Sequence, residues 1–172
     1  MYEDYSTARG TLAPWWRRDT KAHPEGSRIA AKQRSQHLLV LPEGSISIAL
    51  AADAEEPAWL MPSLEALHEI GFLPENWNSY GSRAVSIHAL AATIRLLGAL
   101  MNEAMPLPAF VPTRRGGVQI EWHIKGIDLE IEVTPAERIH ASFEDLETGR
   151  EWENDVTSDL SLVRQELTGL PG

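Results

Sequence analysis

The chain of 172 residues contains no cysteine. That absence removes disulfide frameworks, thiolate metal sites and cysteine nucleophiles at once, and it fits a reducing compartment. No apolar run approaches the about 20 residues needed to span a bilayer. The longest, residues 89–101, is interrupted by Thr93 and Arg95. The opening MYEDYSTARG lacks the charged-then-apolar order of a secretory leader. A cytoplasmic protein without membrane contact is therefore expected. Catalytic signatures are missing as well: there is no HExxH, no DxD, no EF-hand loop and no Gly-x-Ser-x-Gly elbow. TRRGGV has adjacent glycines after two arginines, a pattern able to cradle an anion. It lacks the lysine and spacing of a phosphate loop, however, and precedes a strand where a helix is required. Gly116 and Gly117 are expected instead to permit a tight entry into that strand.

The length suits one domain with some chain left for a tail. A domain of about 120 to 150 residues hides roughly two-thirds of its unfolded surface, enough to stand without a metal or disulfide. The formal charge of −10 is spread unevenly. Residues 1–34 carry seven basic groups (Arg9, Arg17, Arg18, Lys21, Arg28, Lys32, Arg34) against four acids, a balance of +3, which leaves −13 on the other 138. An acidic body repels nucleic acid at range, so such contact is expected only indirectly or through the tail. Residues 1–36 follow no period of 2 or 3.6 and read as a largely irregular basic tail. Within it Trp15 and Trp16 adjoin Arg17 and Arg18, a grouping typical of interface anchors. Docking on a partner subunit and folding back on its own domain are both open.

Residues 37–172 read as a single α+β domain. Residues 37–41 and 45–50 form two short strands about a Pro-Glu-Gly turn. Leu60, Leu64, Leu67 and Gly71 then trace one helical face, with Pro62 in the first turn and Gly71 at the stop. Ser86 reads as the N-cap of a helix reaching about residue 103, with Leu90, Ile94, Leu97 and Met101 inward and His88, Arg95 and Asn102 opposite. Two prolines end it and make the chain extended. In GGVQIEWHIKGIDLEIEV, apolar Val118, Ile120, Trp122 and Ile124 alternate with polar residues, and so do Ile127, Leu129, Ile131 and Val133. Strict alternation on both sides of Lys125-Gly126 is a two-residue hairpin with one wet face. A third strand at 138–143, a fourth holding Trp152 and a helix at 158–167 complete an antiparallel meander with helices packed on one face.

The hairpin sets Glu121 opposite Glu130, His123 opposite Asp128 and Gln119 opposite Glu132, and the next strand brings His140 beside Glu132. Like charges directly opposed destabilise a sheet, so Glu121 and Glu130 require a cation, a proton or ample water. Three readings follow. The face is solvated, with help from Arg138; or a basic partner or the chain's own tail covers it; or Glu121, Glu130 and His123 hold a metal or act as an acid/base pair.

The loop NWNSYGS, residues 76–82, also has two readings. In the structural one Trp77 and Tyr80 pack under the sheet edge, Asn76 and Asn78 bond turn backbone, and Gly81 takes a positive φ. In the functional one Asn76, Trp77, Asn78, Tyr80 and Arg83 join Arg114, Arg115 and Glu121 in a shallow polar site. That requires the chain to double back along a helix of about 18 residues, or about 27 Å.

With PTRRGGVQIEW, this loop resembles a family of small, uncharacterised bacterial proteins. They share an Asn-Trp-Asp/Asn-x-Tyr-Gly-Ala/Ser loop, a helix and a Pro-Thr-x-x-Gly-Gly-Val-x-Leu/Ile-Glu-Trp strand. The first motif falls on Asn76, Trp77, Asn78, Tyr80, Gly81 and Ser82, the second on Pro112, Thr113, Gly116, Gly117, Val118, Glu121 and Trp122. The likeness spans roughly residues 58–133. Asn78 stands where the pattern more often has Asp, and Ser82 where it has Ala, which removes any acidic role at residue 78. The resemblance implies the fold, and an accessory place in a bacterial complex of the defence or mobile-element kind. The expectation is a non-enzymatic interaction module without a cofactor. It contacts another protein through Trp15, Trp16, Arg17 and Arg18, with the loop residues as a second candidate surface. The alternative is a small metal-dependent hydrolase or nuclease centred on Glu121, Glu130 and His123.

Overall fold

A computed structural model describes residues 35–51 and 54–170. Strands β1 (Gln36–Leu41) and β2 (Gly44–Ala49) pair antiparallel about Pro42-Glu43. Alternation buries Leu39 and Leu41 and leaves Leu38 and Val40 half exposed. The Leu50 N–H also donates to the Ser35 carbonyl at 3.0 Å, so ordered pairing starts inside the segment read as tail.

Helix α1 (Leu60–Gly71) buries Leu60, Ser63, Leu64 and Leu67 at helical spacing. The helix stops at Gly71 as expected, and that glycine has a second reason. A Cβ there would lie 2.5 Å from Leu41 Cδ2, so its absence lets the β1–β2 hairpin close onto the helix. Helix α2 (Ile87–Leu100) begins at Ser86, whose hydroxyl accepts the His88 N–H at 3.2 Å. Leu90, Ile94 and Leu97 are buried as expected, and so are Ala89, Ala92, Leu96 and Leu100. The wider burial arises because α2 meets β2 as well as the large sheet. The helix ends before residue 103: Met101 is extended, and Asn102 Oδ1 takes the Ala104 N–H (2.8 Å) in a turn of its own.

The five-stranded sheet runs β3 (Ala109–Pro112), β4 (Val118–Ile124), β5 (Ile127–Val133), β6 (Ile139–Asp145) and β7 (Arg150–Val156), in that order and all antiparallel. The register about Lys125-Gly126 is the expected one, with Ile124 opposite Ile127 and Glu121 opposite Glu130. Both corner residues have positive φ, 51° and 81°, the type I′ geometry whose twist suits a hairpin. Strand β3 was not anticipated as a sheet member; its Pro112 is tolerated at the end of an edge strand.

Val118, Ile120, Trp122, Leu129, Ile131, Val133, Ala141 and Phe143 form the inner face and are buried with α1 and α2. The Trp122 indole N–H donates to the Pro106 carbonyl at 2.9 Å, which satisfies its one polar atom. Helix α3 (Ser161–Gly169) starts later than expected, because Asp159 Oδ1 accepts the Ser161 N–H at 2.8 Å just ahead of it. It buries Val163 and Leu167, and with them Glu166. The Glu166 carboxylate accepts from the Arg150 guanidinium and, at 3.3 Å, from the Trp152 indole. These contacts close the β7 end of the core. Among the described residues no helix is long and apolar enough to cross a membrane. The architecture is α+β.

Candidate functional site

Strand alternation that buries one set of side chains delivers the other to the opposite face of the sheet. That outer face carries eight carboxylates: Glu121, Asp128, Glu130 and Glu132 toward one side, Glu144, Glu151, Glu153 and Asp155 toward the other. No lysine or arginine stands among them within the strands; Arg138 lies just outside, in the turn before β6. Carboxylates oppose each other directly in three cross-strand pairs: Glu121–Glu130, Asp128–Glu144 and Glu144–Glu151. An open depression of about 530 Å³ lies over this area, its lining including Asp128, Glu130, Ser142, Glu144, Glu151 and Glu153.

Two imidazoles temper the repulsion. His123 bonds Asp128 through Nδ1 (2.7 Å) and Glu121 through Nε2 (3.1 Å). The Asp128 bond, followed by that to Glu121, holds the pKa of His123 above its ordinary value. His140 bonds Asp155 (3.0 Å) and Glu153 (2.7 Å), and is raised chiefly by the Asp155 bond. Gln119 donates to Glu130 at 2.7 Å. Each ring therefore favours the cation that two acceptors require.

Glu121, His123 and Glu130 each bring one donor atom to within 4.8 Å of the others. Chemically the set is one nitrogen and two carboxylate oxygens, a combination that suits a first-row divalent ion. Such an ion competes with a proton for His123, whose bonds to Asp128 and Glu121 favour the protonated ring.

The two sequence motifs meet at a second place. Residues 76–82 form a self-bonded loop. The Gly81 N–H donates to Asn76 Oδ1 (2.7 Å), the Tyr80 N–H to Asn78 Oδ1 (2.9 Å) and the Asn76 N–H to the Ser82 carbonyl (2.6 Å). Asn76, Ser79 and Gly81 all have positive φ, so the asparagine side chains hold a backbone that would otherwise be strained. This loop is clamped to the β3–β4 turn by the Arg83 N–H on the Arg114 carbonyl (3.1 Å) and the Ser86 N–H on the Gly116 carbonyl (2.9 Å). Gly116, at φ +83°, is needed on both counts: a Cβ there would stand 2.6 Å from the Ala84 carbonyl oxygen. At Gly117 a Cβ would stand 2.5 Å from the Val133 carbonyl oxygen, so its absence lets β5 close onto the start of β4.

The sequence-based candidates thus separate. Asn76 and Asn78 are turn acceptors as expected, and the half-buried Trp77 donates its indole N–H to the Arg83 carbonyl at 3.2 Å. Tyr80 was expected to pack, yet it is 79% exposed, because the Asn76 and Asn78 bonds turn the chain outward there. Arg83, Arg114 and Arg115 do stand at one junction with the loop. Glu121 does not join them; it lies farther along β4 and bonds His123. Trp15, Trp16, Arg17 and Arg18 lie outside the described residues. His140 stands opposite Glu132 as expected; what sequence reasoning missed is that its ring bonds Glu153 and Asp155 on the other neighbouring strand. The available signal was the alternation of Glu151, Glu153 and Asp155 in REWENDV.

Comparisons with protein-family models, with curated proteins and with solved structures give no match to this chain.

Proposed function

We propose that this domain is a non-enzymatic protein-interaction module that offers the outer face of its sheet to a basic segment of another protein. One observation carries the reading: Glu144 stands between Asp128 and Glu151 across three strands, with no cationic side chain beside it in the strands. Opposed like charges cost stability, and neutral residues would serve the fold better. A cationic partner turns that cost into attraction and steers the encounter over a Debye length of about 10 Å. The basic segment 1–34, with Trp15, Trp16, Arg17 and Arg18, supplies a second contact of opposite sign to the same complex. A role as accessory subunit follows from having two such surfaces.

Titration of the full chain with a short arginine-rich peptide tests the face. Binding should weaken steeply with salt and vanish in Glu144→Lys/Glu153→Lys. Absence of binding at low salt, or indifference to the charge reversals, sinks the proposal.

A metal-dependent hydrolase or nuclease is the second reading, favoured by the approach of Glu121, His123 and Glu130 within 4.8 Å. Calorimetry with Mn²⁺, Mg²⁺ and Zn²⁺ decides it: no heat at about 1 mM metal removes it.

A further inference from the structure

We propose that the junction of the two loops binds the phosphate of a nucleotide on Arg83, Arg114 and Arg115, with the base stacked on Tyr80. The inference stands apart from the sheet face and does not depend on it. Three of the eight lysine and arginine residues beyond residue 34 occupy these two short loops. Elsewhere Arg95 is ion-paired with Glu137 and Arg150 with Glu166, Arg164 donates to the Ala99 carbonyl, and Arg138 lies alone in the turn before β6. Among the described residues Arg83, Arg114 and Arg115 have no carboxylate partner. In a body that carries −13, a cluster of cations without counter-ions among the described residues is suited to an anionic ligand.

Backbone geometry brings them together. The Arg83 N–H donates to the Arg114 carbonyl at 3.1 Å, and Arg83 Cβ lies 3.4 Å from where a Gly116 Cβ would stand. The stem of Arg83 therefore rises directly beside the segment that bears Arg114 and Arg115. Arg114 Nη2 donates to the Tyr80 carbonyl at 3.4 Å, which ties the backbone of the exposed Tyr80 to the same rim. All three arginines are exposed, so their forks are available to a ligand. Guanidinium forks match phosphate oxygens in a bidentate manner. Helix α2 begins beyond Arg83 with its positive dipole end at the junction. An exposed tyrosine is a stacking platform for a base. The acidic body favours a small phosphate ester over a nucleic-acid polyanion, whose extra charges would meet repulsion.

Calorimetric titration of the full chain with ADP, ribose 5-phosphate and adenosine tests the assignment. ADP should bind with a Kd below about 1 mM, and Arg83→Gln/Arg114→Gln should weaken it at least about tenfold. Tyr80→Ala should weaken ADP and leave ribose 5-phosphate unchanged. Arg115→Gln, at an exposed turn position, should weaken both and guards against a misfolded double variant. Absence of heat with ADP, adenosine binding as tightly as ADP, or arginine variants that bind like the parent each overturn the proposal. Ribose 5-phosphate binding as tightly as ADP overturns the nucleotide assignment.

Discussion

Along β4 the side chains of Val118, Ile120 and Trp122 are buried, while Gln119, Glu121 and His123, each one residue away, stand on the opposite face. The same division holds on β5 and β6. Both faces share every backbone hydrogen bond, so the ladder cannot explain their difference. The inner face is specified by packing, where each side chain has partners and a polar atom such as the Trp122 N–H is matched. The outer face sets carboxylates against each other, a repulsion that the His123 and His140 bridges offset in part. A surface that opposes the stability of its own fold is where function is to be sought.

The sharpest way to break the contrast is Trp122→Ala. It empties a fully buried site and leaves the Pro106 carbonyl without its donor, so urea denaturation should show a loss of about 3–5 kcal/mol. Next comes Arg150→Ala, which strands the buried Glu166 carboxylate. A loss of about 1–3 kcal/mol is expected, and adding Glu166→Leu should recover most of it.

Protonation gives a smaller, pH-dependent effect that belongs to the outer face alone. His123 and His140 have folded pKa values above the ordinary 6.5. Their contribution is complete below pH 6.5 and is lost as pH rises through the raised folded values. Stability measured across that range should decline toward alkaline pH, and His123→Gln/His140→Gln should flatten the profile. The smallest effect is Glu130→Gln. The amide oxygen still accepts from Gln119 while the charge opposite Glu121 is removed. A gain within about 0.5 kcal/mol at low salt, fading in about 1 M salt, is expected from denaturation midpoints.

Much of this was legible in advance, for identifiable reasons. Period-2 alternation and a Lys-Gly corner leave one register for β4 and β5, since a one-residue slip would expose Trp122. The convergence of Glu121, His123 and Glu130 followed from that register. Strand β3 escaped because Ala109, Phe110, Val111 and Pro112 are too few, and too close to prolines, to show a period. Glu166 escaped because a glutamate in the α3 segment looks like any solvated helical residue until Arg150 and Trp152 arrive from β7. Tyr80 was misplaced because aromatic character suggests burial, whereas two asparagine caps direct the loop outward.

Taken alone, the chain's own pattern determined the α+β class, the meander, its register and the charge of each face, because all four are local periodicities read against a single buried layer. Only the tertiary structure decided which carboxylates hold His140, why Gly71 and Gly116 must lack a side chain, and that two motifs separated by α2 meet at three arginines without a carboxylate partner among the described residues. Those outcomes depend on the approach of segments distant in sequence, and on steric distances of a few tenths of an ångström that no one-dimensional pattern encodes.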